Sequence, residues 1–277
     1  MVDYSFIEYS FNPETTDKEY IYSSLNKLGF IHRTQHKSKD VGFWVQNNCI
    51  ILLRESNKVL SPGISGLGFI AEGNDLVPDI ALDADSDMLC RVAPDGTRFL
   101  FVHSDQMITM LTSNFETVDV KEYSNPGLKY ISGINLNLDP TNEEFYKSLG
   151  FTNSKSSGEF RTLVSENKRF GLLVHENFKS GIQGLYIDTD DMFHTVACFT
   201  ITGVESPTYE FDIPPGFGKL THKIAGYKCL ATGNSQSFSI EKFLPNILPG
   251  LDIIVRMRKQ YMNISEKLLS VYYGIQR

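Results

Sequence analysis

Apolar and polar residues alternate along most of this chain, and short stretches of helical spacing interrupt the alternation. "YSFIEYSF" (4–11) is apolar on alternate positions and predicts a strand. In "TTDKEYIYSSLNKLGF" (15–30), Tyr20, Ile21, Leu25 and Leu28 fall at helical spacing. Thr16 or Asp17 can cap that helix, and Gly29 can end it. "VGFWVQ" (41–46) and "CIILLRE" (49–55) predict a hairpin turning at Asn47 and Asn48. The order so far is β-α-β-β-β.

The same order returns three times. The second unit opens at "GLGFIAE" (66–72), passes through a loop or broken helix in "NDLVPDIALDAD" (74–85), and closes on "RVAPDGTRFLFVHS" (91–104). Asp95-Gly96 supplies a hairpin turn there. The third runs from "YISGINLNL" (130–138) through the helix "TNEEFYKSLGF" (141–151) to "RFGLLVHEN" (169–177). The fourth runs from "GIQGLYIDT" (181–189) through the helix "DMFHTVACFTITG" (191–203) to "QSFSIEKF" (236–243). Four units in two pairs predict an α+β protein of two half-alike domains, 1–115 and 130–247. The polar stretch 116–129, with Asn-Pro-Gly, reads as the linker. The stretch 248–277 reads as one or two C-terminal helices.

Composition narrows the function classes. The chain has 277 residues, 41% hydrophobic and 12% aromatic, enough for a sizeable core. A net charge of −7 argues against a general nucleic-acid partner. No apolar run approaches a membrane span. The opening "MVDYSFIEYS" lacks the pattern of a signal peptide, so a cytoplasmic protein is expected. Cys49, Cys90, Cys198 and Cys229 are scattered through apolar segments, which predicts reduced thiols.

Two glycines then stand out. Gly133 and Gly184 each sit inside a strand, where glycine weakens the strand and marks a bulge or a close approach. Alternation puts Ile134, Leu136 and Leu138 on one face of the third unit's first strand, and Gly133, Asn135 and Asn137 on the other. Likewise Leu185 and Ile187 oppose Gly184 and Tyr186. Phe238 and Ile240 oppose Ser237, Ser239 and Glu241. The polar faces could simply meet water, as in any antiparallel sheet with one wet side. They could also line one cleft.

The stretches "LGFIHRTQHKSKDVGFWVQNNCIILL", "YISGINLNL", "GIQGLYIDTDD", "TYE" at Thr208-Tyr209-Glu210 and "FSIEKF" resemble the vicinal oxygen chelate superfamily, and within it the 4-hydroxyphenylpyruvate dioxygenases. The resemblance covers most of 1–245. It implies two domains, each a curved mixed sheet built from paired β-α-β-β-β units, with a cleft in the second. It further implies an iron held there by two histidines and a glutamate. Those three positions fall at Gly133, at Gly184 and near Glu241.

With glycine at both histidine positions, no cofactor is expected. The reading is a dioxygenase-like protein that has lost its iron site and binds a small polar or aromatic molecule. Its ligand-binding residues would be Gly133, Asn135, Asn137, Gly184, Tyr186, Ser237, Ser239 and Glu241. Next to Glu241, an amine or hydroxyl on the ligand is favoured over a 2-oxo acid. One alternative is a divergent dioxygenase or lyase that uses Fe(II) or another divalent metal. Another is a structural or interaction protein with no small ligand. The partners expected are the small molecule and, left open, a second copy of the chain in a homodimer; nucleic acid and membrane are not expected. His175 and His194 are lone histidines. His32 and His36 lie outside any helix, which removes the helical zinc-pair reading. Glu8, Glu55 and His103 occupy strand positions in the first half, and Glu8 reads as structural. "GFGKLTHK" (216–223) lacks P-loop spacing.

Overall fold

The computed structural model describes residues 2–71, 81–82, 88–94, 96–103, 113–119, 125–137, 143–157, 160–164, 171–175, 181–202, 208–212, 223–224, 227–231, 237–241 and 248–257. The first half opens with β1 (Val2–Phe11), α1 (Lys18–Lys27), β2 (Ile31–His36), β3 (Val41–Gln46) and β4 (Cys49–Glu55). It continues with β5 (Gly63–Ala71), β6 (Ala81–Leu82), β7 (Leu89–Val92), β8 (Arg98–His103) and β9 (Phe115–Thr117). The order across this first sheet is β6-β7-β8-β5-β1-β4-β3-β2-β9.

The second half supplies β10 (Leu128–Asn137), α2 (Glu143–Ser148), β11 (Thr152–Ser157), β12 (Phe160–Val164), β13 (Gly171–His175), β14 (Gly181–Thr189) and α3 (Met192–Thr202). Then come β15 (Thr208–Asp212), β16 (Lys223–Ile224), β17 (Tyr227–Ala231), β18 (Ser237–Glu241) and β19 (Asp252–Met257). The second sheet runs β11-β12-β13-β10-β14-β19-β15-β18-β17-β16. Both sheets are mixed, and the α+β reading holds.

Local chemistry explains the well-predicted elements. Asp17 caps α1, its carboxylate accepting from the backbone N–H groups of Glu19 and Tyr20. Gly29, at φ +85°, ends the helix in the left-handed region. The β3–β4 hairpin turns at Asn47, at φ 48°, a conformation asparagine tolerates better than most residues.

Two expectations need correction. The stretch after 248 was expected to be helical, yet Asp252–Met257 is a strand deep in the second sheet, parallel to both β14 and β15. Its β-branched run Ile253-Ile254-Val255 suits the pleat, and Pro249-Gly250 turns the chain into it. Residues 258–277 lie outside the described residues. The linker expected over 116–129 is also shorter. Phe115–Thr117 pairs with β2 at the edge of the first sheet, and β10 begins at Leu128.

One hydrophobic core joins the halves. It takes Ile7, Tyr9, Leu67, Phe69 and Phe99 from the first sheet, Ile134, Leu136, Leu185, Ile187, Ile253 and Val255 from the second, and helical residues including Ile21, Leu25, Tyr146 and Phe199. Phe99 meets Phe145 and Tyr146 edge-on, at 5.4 and 5.5 Å between centroids. Polar contacts also cross the seam. The Tyr9 hydroxyl donates to Pro249 O at 2.7 Å, and Asn48 N–H donates to Lys129 O at 3.0 Å. Each sheet therefore turns one face to the shared core and one away from it.

Candidate functional site

The face turned away from the core differs between the halves, and strand register allows them to be compared residue by residue. Ile7 pairs with Ile51 in parallel and with Leu67 in antiparallel, and Leu67 pairs with Phe99 in parallel. Ile134, Leu172, Leu185 and Ile253 repeat those relations in the second sheet. The ladders between β1 and β5 and between β10 and β14 break at matching places, just before Phe6 and Gly133 and just after Glu8 and Asn135. Phe6 therefore corresponds to Gly133, Glu8 to Asn135, Gly66 to Gly184, Gly68 to Tyr186 and Arg98 to Asp252.

In the first sheet this face is filled. The Phe6 ring lies over Gly68 so closely that a Cβ at Gly68 would overlap it. Around Phe6 pack Val41, Phe43, Leu52, Leu100, Val102 and Phe115, all buried. Beside them Glu8 is fully buried. An Arg98 Nη1 donates to both of its carboxylate oxygens, at 2.9 and 3.2 Å. Arg54 Nε lies 3.3 Å from Glu8 Oε1, and the Ser65 hydroxyl donates to the same oxygen at 2.5 Å. Ser10 bridges Ser65 and Arg54. A buried carboxylate persists only when paired and hydrogen-bonded, and Glu8 meets both conditions. It serves structure, in line with the sequence reading.

The second sheet carries small and polar residues in the same rows. Gly133 stands opposite Tyr186, and Asn135 opposite Gly184. The large residue has thus moved from one strand to its neighbour. Tyr186 and Asp188 are only 6% and 3% exposed, and Ser132 is 1% exposed. This polar row of β14 is therefore buried instead of solvated. The Ser132 hydroxyl donates to Asp188 Oδ1 at 2.5 Å. Gly133 lies against β13, where a Cβ would overlap the backbone carbonyl of Gly171.

Not all the expected site residues come together. Gly133, Asn135, Gly184 and Tyr186 lie on adjacent strands, with Asn137 further along β10, level with Gly181. Ser237, Ser239 and Glu241 lie on β18, which pairs with β15 and β17. From β14 to β18 is three ladder steps, each of about 4.8 Å. Glu241 stands level with Lys228 and does not neighbour either glycine. The acid level with Gly184 is Asp252, which the sequence reading had placed in a helix. The signal that could have found it was the β-branched run after a Pro-Gly turn.

Elsewhere, the His194 ring is exposed and its Nε2 lies 3.0 Å from Asn125 O. His32 and His36 sit on β2, and Glu55 pairs with Lys18 at 2.7 Å. Cys49 and Cys90 are buried free thiols. Burial, and next the charge of Asp188, push the Cys49 thiol well up.

An iron centre of two imidazoles and a carboxylate needs donors on three strands. Glycine offers no side-chain donor at 133 or 184, and Asp252 offers one carboxylate. The residues present do not fit that group. Among the described residues there is also no cluster of three or more histidine, cysteine, aspartate or glutamate side chains able to hold a metal.

The chain has the vicinal oxygen chelate fold. It is similar in structure to a xylose isomerase-like TIM barrel/4-hydroxyphenylpyruvate dioxygenase fusion protein, with TM-score 0.60 and 19% identity over 78% of this chain, though it spans only 40% of that protein's length. It is similar to a mutant of 4-hydroxymandelate synthase from Streptomyces coelicolor, with TM-score 0.53 and 12% identity, over 74% of this chain and 76% of that one. A halotolerant catechol dioxygenase matches at TM-score 0.53 and 10% identity, over 91% of this chain and 86% of that one. No protein-family model and no curated protein matches the chain. Among the described residues, no helix is long and apolar enough to cross a membrane.

Proposed function

We propose that this is a 4-hydroxyphenylpyruvate dioxygenase-like protein without iron chemistry, which holds a small polar or aromatic molecule against the outward face of its second sheet. The observation that carries the reading is the contrast between the two halves. The first sheet fills this face with Phe6 and its neighbours and closes it with the Glu8–Arg98 pair. At the same rows the second sheet has Gly133, Asn135, Gly184, Tyr186 and Asp252. Ligand sites are concave and fixed by a few polar groups of this kind.

The test is amide shift mapping of the isotopically labelled full chain against a library of small aromatic alcohols, amines and acids. The expected result is a set of binders whose shifts cluster at Gly133, Asn135, Gly184, Tyr186 and Asp252. Shifts scattered over the surface, or none with any compound, would overturn the reading. The alternative enzyme reading would gain from binders that appear only after a divalent metal is added.

A further inference from the structure

We infer that His194, Cys198 and the backbone carbonyl of Asn125 form a zinc site on the exposed side of α3. The inference is independent of ligand binding at the outward face of the second sheet.

His194 looks solitary in the chain, because three residues separate it from Cys198. In α3 that spacing is one turn, and side chains four apart share one face of a helix. Two donors at this spacing on a helix can grip one metal ion, an arrangement that β2 denies to His32 and His36. Thr195 and Phe199, both fully buried, hold the other side of α3 against the protein. His194 is left exposed and Cys198 half-buried, so an ion can reach both.

Zinc binds sulfur at about 2.3 Å and imidazole nitrogen at about 2.0–2.1 Å in a tetrahedral shell, which sets those two donors about 3.5 Å apart. Cys198 Sγ lies 3.6 Å from His194 Nε2, and 4.0 Å from Nδ1. By the same geometry a ligating oxygen stands about 3.4 Å from the nitrogen and about 3.6 Å from the sulfur. Asn125 O stands 3.0 Å from Nε2 and 3.9 Å from Sγ. The three donors thus outline one face of a zinc tetrahedron to within roughly half an ångström. The exposed imidazole can turn to aim Nε2 between sulfur and oxygen, and the fourth corner faces water.

The oxygen is fixed by its own turn. Asn125 Oδ1 accepts from Gly127 N–H at 2.9 Å and from Gln46 Nε2, in the first half, at 3.3 Å. Next to it Pro126 O accepts from the Thr195 hydroxyl at 2.6 Å. Such supporting contacts orient a metal's ligands in advance. Thiolate and imidazole suit zinc, whereas magnesium and calcium prefer oxygen donors. Fe(II) ranks below zinc in such a donor set, so the site does not supply a tightly held iron. Burial raises the Cys198 thiol, so zinc must displace its proton. That proton leaves to solvent as the zinc–sulfur bond forms, while the neutral imidazole keeps its own on Nδ1.

The test titrates the reduced, chelator-stripped full chain with Zn(II) by calorimetry, and with Co(II) as a coloured substitute. One metal per chain is expected, with proton release and a sulfur-to-cobalt charge-transfer band. Cys198→Ser should abolish the band, and both Cys198→Ser and His194→Ala should weaken zinc roughly tenfold or more. His194→Cys, which keeps a donor at that position, should retain binding and band, and Cys229→Ser should change neither. A further measurement needs no variant: Zn(II) should protect Cys198 from alkylation by N-ethylmaleimide, mapped by peptide mass. No saturable zinc binding, a cobalt band that survives Cys198→Ser, unchanged affinity in His194→Ala, or a Cys198 alkylated equally with and without zinc would each overturn the site.

Discussion

Gly184 stands level with Asp252 across a parallel pair of strands, as Gly66 stands level with Arg98 in the other half. The same place in a duplicated framework thus carries an acid in one copy and a base in the other. In the first copy the base is closed onto Glu8, so that half is finished as structure. In the second, the corresponding row carries Asn135, Gly184 and Asp252.

The first prediction concerns Gly133. A Cβ there would overlap the Gly171 carbonyl, which belongs to backbone and cannot swing aside. Gly133→Ala should destabilise the protein by about 1–3 kcal/mol, the usual cost of overfilling a packed site. Gly133→His should cost at least as much, so adding histidines at 133 and 184 should not rebuild a metal site. Chemical denaturation of the two single variants measures this. Unchanged midpoints would mean that β10 and β13 are not packed as described.

The second concerns Glu8. Glu8→Gln leaves Arg54 and Arg98, both only 12% exposed, beside a neutral amide. Removing one partner of a buried ion pair costs about 3–5 kcal/mol. A loss on that scale is expected in urea denaturation. Binding to the second sheet should survive in whatever fraction stays folded.

Much of this framework was legible in the chain. Asp17 and Gly29 marked the ends of α1, and Asn47-Asn48 marked the β3–β4 turn, because caps and tight turns depend on residues next to one another. Gly133 and Gly184 were legible as anomalies for the same reason. The partner of Gly184 was not. Which strand enters between β14 and β15 depends on long-range pairing that local pattern does not encode. A short apolar run such as Ile253-Ile254-Val255 fits a helix or a strand until its neighbours are known. The exchange of Phe6 and Gly68 for Gly133 and Tyr186 was hidden likewise, since it appears only once the registers of both halves can be compared.

The third prediction follows from β19. It lies inside the sheet, and without it β14 and β15 would each lose a ladder partner and the core would lose Ile253 and Val255. A chain ending at Ile247 should fail to fold cooperatively, seen as loss of a sigmoidal unfolding transition. If the segment after 247 were a peripheral helix, the shortened chain would unfold much like the parent.

The fourth concerns pH. His32 stacks on Trp44, with centroids 4.8 Å apart and planes 3° apart, and burial lowers its pKa. The unfolded chain, with an ordinary value of about 6.5, then binds the proton more readily than the folded one. The stability from neutral His32 is fully present above that value and is lost as pH falls through the folded pKa. His32→Phe keeps the ring stack and removes the titration. Its denaturation midpoint should fall less between pH 7.5 and pH 5 than that of the parent. An identical fall in both would assign the pH dependence to other groups.

The central claim is that Gly133 and Gly184 leave the second sheet without an iron centre. Elemental analysis of the full chain, purified after expression in iron-supplemented medium, tests it most directly. Iron far below one atom per chain is predicted, and close to one tightly held iron per chain would contradict the account.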